Sequence, residues 1–115
     1  MGLFKNLFNR PPKPGKPRPV TDETFEQEVL ASDIPAVVDF WSLRCPPCQV
    51  MGGLLDEIGV NIFKMNVDQN PRTAMQYQIH SIPTVILFRK GKTVDRIVGL
   101  LPLNPLRRKI EKLAQ

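Results

Sequence analysis

The sequence is short of the residues that build metal centres and covalent scaffolds. Its 115 residues include two cysteines, one histidine, one tryptophan and one tyrosine. Two cysteines with the single His80 do not make a closed four-ligand zinc site. They are also too few for a disulfide scaffold, which an apolar fraction of 42% makes unnecessary. No apolar run approaches the length of a membrane span. The first residues lack a signal peptide's long apolar stretch and small-residue cleavage site. The expectation is therefore a cytoplasmic protein. Charge of one sign is missing from most of the chain as well. Residues 1–20 carry Lys5, Arg10, Lys13, Lys16 and Arg18 and no acid, whereas the remainder holds 11 basic and 11 acidic side chains. The net charge of +5 belongs to the tail, so the body gives no reason to expect nucleic-acid binding.

The length suits one core, and no internal repeat is visible. Residues 1–19 read as a basic, proline-rich, flexible extension and residues 20–115 as the domain. Within the extension, Leu3, Phe4, Leu7 and Phe8 share helical spacing, with Lys5 and Arg10 off that face. Pro11, Pro12, Pro14, Pro17 and Pro19 then make a semi-rigid spacer. The first ten residues read as a weak membrane-surface or assembly-docking peptide, or as a fraying end, because ten residues make a marginal helix in water. Asn6 stands where a myristoylation motif needs Ser or Thr.

From Val20 onward the pattern alternates between helix and strand. Thr21 or Asp22 can cap a helix carrying Phe25, Val29 and Leu30 on one face, with Glu23 and Glu26 in its first turn. Residues 36–41 form a continuous apolar strand, as expected of one buried on both faces. A helix follows from about Cys45 to Ile58, and Gly52-Gly53 suggests a kink in it. Residues 61–67 read as a second central strand, and Asn70-Pro71 opens a short helix to about Tyr77. Thr84–Arg89 and Thr93–Val98 read as a hairpin around Lys90-Gly91. A last helix carries Leu106, Ile110 and Leu113 on one stripe. The order predicts an α/β sandwich with a mixed sheet.

The chemistry concentrates at Cys45-Pro46-Pro47-Cys48. A pair three residues apart can close a small disulfide ring and reopen it. At a strand-to-helix junction the first sulfur meets the positive end of the helix dipole, which favours the reactive thiolate. Cys45 is the candidate nucleophile, with Arg44 adding positive charge beside it. Cys48, one turn deeper, is the candidate resolving thiol. Pro47 fixes φ at the helix start, and Pro46 adds rigidity while removing an amide donor. The competing readings are two cysteines that only pack, or a metal shared between two chains. Asp39 breaks the apolar run of its strand. Burial should raise its pKa, so it could take the proton of Cys48. Alternatively it is satisfied by local hydrogen bonds or by Lys64. Ile82-Pro83 alone reads as an ordinary proline at the start of a strand.

From about Val20 to Ala114 the chain resembles thioredoxin. The matching pieces are Val38-Asp39-Phe40-Trp41, Cys45-x-Pro47-Cys48, Lys64-Met65-Asn66-Val67-Asp68, Ile82-Pro83-Thr84 and Gly99. The resemblance implies the thioredoxin fold, a three-layer α/β/α sandwich with a central mixed sheet of four to five strands. It implies a protein dithiol–disulfide oxidoreductase in which Cys45 attacks and Cys48 resolves. Asp39 would be the buried acid beneath Cys48, Lys64 its neighbour, and Pro83 a cis-proline facing the disulfide. Trp41, Ile82, Pro83, Gly99 and Leu100 would receive a substrate strand, with Arg44, Pro46 and Pro47 at its border. No bound cofactor is implied. The implied partners are disulfide-containing proteins and a thioredoxin reductase, and the implied state is a monomer. Three features depart from the family. Arg44-Cys45-Pro46-Pro47-Cys48 replaces Trp-Cys-Gly-Pro-Cys, Gly53 replaces the helix's kink proline, and the stretch after that helix is shortened. The first edge strand is thin as well, and a less stable variant of the fold is expected. Two other roles fit the sequence: a docking or assembly module with secondary redox activity, or an oxidant or isomerase. Thiolate stabilisation by Arg44 and loss of an amide at Pro46 push the redox poise in opposite directions.

Overall fold

Residues Ala36–Trp41 become the centre of the fold because they present β-branched and aromatic side chains to both faces at once. The computed structural model describes residues 17–113. The apolar tail face of residues 1–10 and the proline spacer up to residue 16 lie outside the described residues. One mixed sheet runs in the order β1-β3-β2-β4-β5. Its strands are β1 (Arg18–Pro19), β2 (Ala36–Trp41), β3 (Ile62–Asn66), β4 (Thr84–Arg89) and β5 (Lys92–Val98). The first three are mutually parallel in the order β1-β3-β2, whereas β4 runs antiparallel to β2 and β5 antiparallel to β4. Helical segments α1 (Glu26–Leu30), α2 (Pro46–Ile58), α3 (Pro71–Gln76) and α4 (Leu103–Leu113) complete the chain.

Alternation along β2 divides the interior into two layers. Val37 packs with Met51, Leu55 and Ile58 of α2 and Leu106, Ile110 and Leu113 of α4. Val38 and Phe40 pack on the opposite face with Phe25, Val29, Phe63, Met65, Ile86 and Phe88. There Phe25, Tyr77 and Phe88 meet in mutually tilted pairs with ring centroids 5.4 to 5.6 Å apart, a favourable aromatic geometry. This is the α/β thioredoxin fold expected from the sequence, with five strands. The β4–β5 hairpin turns at Lys90 (φ 51°) and Gly91 (φ 79°), the pair of left-handed residues that a two-residue turn of matching twist requires.

Two local readings change. The segment after Val20 is a π-helical turn, and Phe25 at its start makes no side-chain cap. Thr21 organises the preceding turn, its amide donating to Thr24 Oγ1 at 2.9 Å. Asp22 instead caps a helix remote in sequence. Its carboxylate accepts from the amides of Arg72 (3.1 Å) and Thr73 (2.8 Å) at the start of α3, while its own amide donates to Asn70 Oδ1. Asp22→Ala is expected to cost about 1 kcal/mol, the usual scale for losing an N-cap, read as a lower urea midpoint at unchanged slope. The second change concerns α2, which runs unbroken through Gly52 and Gly53 to Ile58. It stops at Gly59, whose φ of 59° and amide bond to the Leu55 carbonyl close the helix. The thin first strand is two residues long. Val20 extends its pairing by donating to the Lys64 carbonyl at 2.9 Å, and the Arg18 guanidinium lies 4.5 Å from the Phe63 ring centroid.

Candidate active site

The strand directions bring three stretches of chain to one end of the sheet. β2 ends at Trp41, and Phe40 stands opposite Thr84, the first residue of β4; Thr84 in turn stands opposite Val98, the last residue of β5. The loop to Cys45, the Ile82-Pro83 step and Gly99-Leu100 therefore emerge at the same pole. Gly99 ties two of them together, because its amide donates to the Pro83 carbonyl at 2.8 Å. Its φ of 83° is one a side chain would strain. The Ile82–Pro83 peptide bond is cis.

At this pole Cys45 is the N-cap of α2 and is bonded to Cys48, with their Cα atoms 5.2 Å apart. The extended conformation of Cys45 (φ −136°, ψ 91°) turns its sulfur toward the helix, where Sγ accepts from the Cys48 amide at 3.2 Å. Pro46 and Pro47 occupy the first helical positions, where an amide has no partner within the helix to lose. A charge developing on Cys45 Sγ would thus be met by the Cys48 amide, which it shares with the Cys45 carbonyl (3.0 Å), and by the helix dipole. Cys45 is 8% exposed and Cys48 2%, so the first sulfur is the more accessible of the two. Pro46, Pro47 and Arg44 are exposed around them, Leu100 is exposed, and Trp41, Ile82 and Gly99 are half-buried.

Asp39 lies beneath. It shares a sheet face with Val37 and Trp41, the face that α2 covers, and it is fully buried. Neither carboxylate oxygen has a hydrogen-bond partner among the described residues. The reading that local hydrogen bonds satisfy this acid is therefore set aside. Burial pushes its pKa up to about 7, against a weaker pull downward from Lys64. Lys64 is the register neighbour of Asp39 on β3, and its ammonium sits 4.9 Å from the Trp41 ring centroid. Buried acid, ammonium and indole thus converge on the sheet face that α2 covers.

One residue of this arrangement was not apparent from the sequence. Gly52 is buried, and a Cβ there would lie 3.2 Å from Lys64 Nζ. Cys48 and Gly52 are four residues apart and so share a helix face, which was the available signal. The missing side chain leaves room for the ammonium over the sheet. Lys64→Met removes the one charge that pulls the Asp39 pKa down, so the titration of Asp39 is expected to move further up. Gly52→Val, by pushing the ammonium away, should move it the same way and should add little in the Lys64→Met background. The carboxyl carbon shift of Asp39 followed by NMR against pH reads both effects.

Among the described residues no group of three or more His, Cys, Asp and Glu side chains could hold a metal ion, and no helix is long and apolar enough to cross a membrane. Comparison with known proteins points in one direction. A family model described as Thioredoxin matches residues 16–112. The chain is 46% identical over 99 residues to thioredoxin 1 of Nostoc sp., covering 81% of this chain and 92% of that protein. It is 43% identical over 104 residues to thioredoxin 2 of Chlorobaculum tepidum, covering 85% and 95%. It is 45% identical over 93 residues to the thioredoxin of Rickettsia prowazekii, covering 76% and 89%.

Proposed function

The chain belongs to the thioredoxin family and is a dithiol–disulfide oxidoreductase, and on that footing we propose that it reduces disulfide bonds of partner proteins in the cytoplasm. The observation that carries this reading is the Cys45–Cys48 disulfide at the start of α2, with the Cys45 sulfur facing the Cys48 amide. In the working direction the reduced Cys45 thiolate attacks one sulfur of a partner disulfide. A Cys45–partner disulfide forms, and the other partner sulfur leaves as a thiolate that takes a proton from water. Cys48 then loses its proton to the Asp39 carboxylate and attacks Cys45 Sγ. The Cys45–Cys48 bond forms and the second partner thiol departs. Two electrons pass from the dithiol to the partner, and an external thioredoxin reductase returns them.

Asp39 suits the proton-accepting role because a pKa of about 7 lets it hold or release a proton near neutral pH. Pro83, Gly99 and Leu100 offer backbone and apolar surface beside the disulfide, and Trp41 and Ile82 border it. Arg44, Pro46 and Pro47 form the exposed edge that a partner strand would cross. No resident cofactor enters the reaction, and the protein acts as a monomer on its protein substrates. Equilibration with glutathione buffers tests the direction of the chemistry. A potential near that of thioredoxins, about −270 mV, is expected, together with reduction of insulin disulfides when a thioredoxin reductase and NADPH are supplied. A potential near that of protein disulfide isomerase, about −180 mV, would make the protein an isomerase or oxidant instead.

A further inference from the structure

A partner strand lying over Pro83 and Gly99 leaves the outward face of α2 uncovered. At about 100° per residue, Cys48, Met51, Gly52, Leu55 and Ile58 fall on one side of this helix, and all five are buried. Pro46, Val50, Gly53 and Glu57 fall on the opposite side, and all four are exposed. A surface helix ordinarily carries charge there. α2 carries none before Asp56. Val50 is 52% exposed, and the exposed Pro47 and half-buried Leu54 widen the uncharged band. Single exposed apolar side chains are common on protein surfaces. Here they adjoin one another and begin at the residue after Cys45.

Gly53 is the second observation. Glycine is the poorest helix former after proline. Its neighbour Gly52 has a cause inside the chain, the ammonium of Lys64. Gly53 has no such cause. Its φ is not left-handed, and a Cβ there would meet nothing within 4 Å. The fold alone would be served better by another residue. The glycine leaves a shallow notch in the exposed stripe, one turn after Val50. Helical side chains lean toward the N-terminus, so Val50 covers the turn begun by Pro46 and Pro47. The stripe therefore runs from the Cys45 cap to the notch, eight residues or roughly 12 Å along the axis.

We infer that this stripe extends the partner-binding site and selects protein disulfides flanked by apolar side chains, one resting on Pro46 and Val50 while the partner backbone passes close over Gly53. The inference rests on the disulfide-reducing role proposed above and names the class of partner. Continuity with the disulfide identifies the occupant. A partner sulfur joined to Cys45 stands at the head of the stripe, and Pro46 is the next residue. Val50 lies about 7.5 Å along the axis from Cys45. An extended segment advances about 3.3 Å per residue and repeats its face every second residue. The side chain two residues from the partner cysteine thus falls on Val50.

Oxidation of the prereduced full chain tests this without a reductase, as second-order rate constants from acid-quenched samples. The oxidants are two disulfide-linked peptide dimers and hydroxyethyl disulfide. One peptide has leucine two residues to each side of its cysteine, and the other has serine there. The leucine peptide is expected to react with the wild type roughly tenfold faster than the serine peptide, the scale of burying one aliphatic side chain. Val50→Gln and Gly53→Gln should each bring that ratio to within about twofold of unity. Hydroxyethyl disulfide, too small to reach the stripe, should oxidise all three proteins equally. Gly53→Gln should also raise the urea midpoint, because glutamine is the better helix former; a lowered midpoint would mean that the fold itself needs this glycine and would overturn the notch. Equal rates for the two peptides with the wild type, or a preference kept by both variants, would overturn the inference while leaving the redox role intact. A wild-type dimer that Val50→Gln dissociates in sedimentation would assign the stripe to a second copy of the chain and overturn it too. No reaction with any of the three disulfides would overturn the redox role and this inference with it.

Discussion

Cys45→Ser is expected to abolish turnover of protein disulfides, lowering the rate by roughly 10³-fold or more, the scale of losing a covalent nucleophile. The argument rests on position. Cys45 ends the extended chain after β2, caps α2, and faces the Cys48 amide at 3.2 Å. Cys48 has none of these advantages. At 2% exposure it lies inside the first turn of α2, away from the helix's cap position. A serine at position 45 can accept the same amide bond, so the fold and the helix cap should survive while the reactive sulfur is gone. Insulin reduction by the variant, followed as NADPH consumption with a thioredoxin reductase, reads the loss. Retention of more than a few per cent of the activity would place the attacking sulfur elsewhere.

A second large effect is expected from Asp39 as pH changes. The ordinary carboxyl pKa is 3.8, and burial raises it in the folded protein to about 7. Folding therefore takes up a proton wherever the unfolded carboxyl is ionised and the folded one is not. Stability from this group is fully present below pH 3.8 and declines from there to about pH 7, where the folded carboxyl ionises too. The gap corresponds to roughly 4 kcal/mol. Asp39→Asn keeps the size and polarity of the side chain but cannot ionise. The difference in unfolding free energy between variant and wild type should thus grow in the variant's favour by about 4 kcal/mol from pH 4 to pH 8. Urea titrations at a series of pH values measure it, and parallel pH profiles would contradict it. The same substitution removes the proton acceptor for Cys48. Release of a mixed disulfide should slow by roughly 10²-fold, the lower range of general-base effects. Stability and activity are therefore expected to move in opposite directions, as when a functional charge is buried at a cost to folding.

The parts that were legible in advance are those whose cause is local. Thr84–Arg89 is strand as read, because five apolar or β-branched residues follow a proline and, with Arg89, precede a turn that needs left-handed residues. The stripe of Leu106, Ile110 and Leu113 is buried because three positions at helical spacing can face only one way. Asp39 stood out as a lone acid in an apolar strand. The misread parts have causes that lie far off in the chain. Asp22 has the look of a cap for the helix beside it, yet the amides it satisfies belong to Arg72 and Thr73, some fifty residues later. Gly52 looks like a weak point in a helix when only its neighbours are considered. Its role comes from the ammonium of Lys64 on another strand. The π-helical turn of α1 likewise answers to packing: Phe25 and Val29 must both enter the layer against Phe88, and the cap signature before them does not govern the outcome.

The central claim is that Cys45 attacks and Cys48 resolves. Reduced Cys48→Ser protein mixed with a disulfide-containing protein, quenched in acid and analysed by mass spectrometry of the intact species, tests it most directly. The account predicts a one-to-one adduct that accumulates and persists, joined through Cys45 and dissolved by added dithiol. Wild-type protein under the same quench should show only the released reduced partner and the Cys45–Cys48 disulfide. Absence of the adduct in Cys48→Ser, or its appearance in Cys45→Ser with Cys48 as the joined sulfur, would contradict the account.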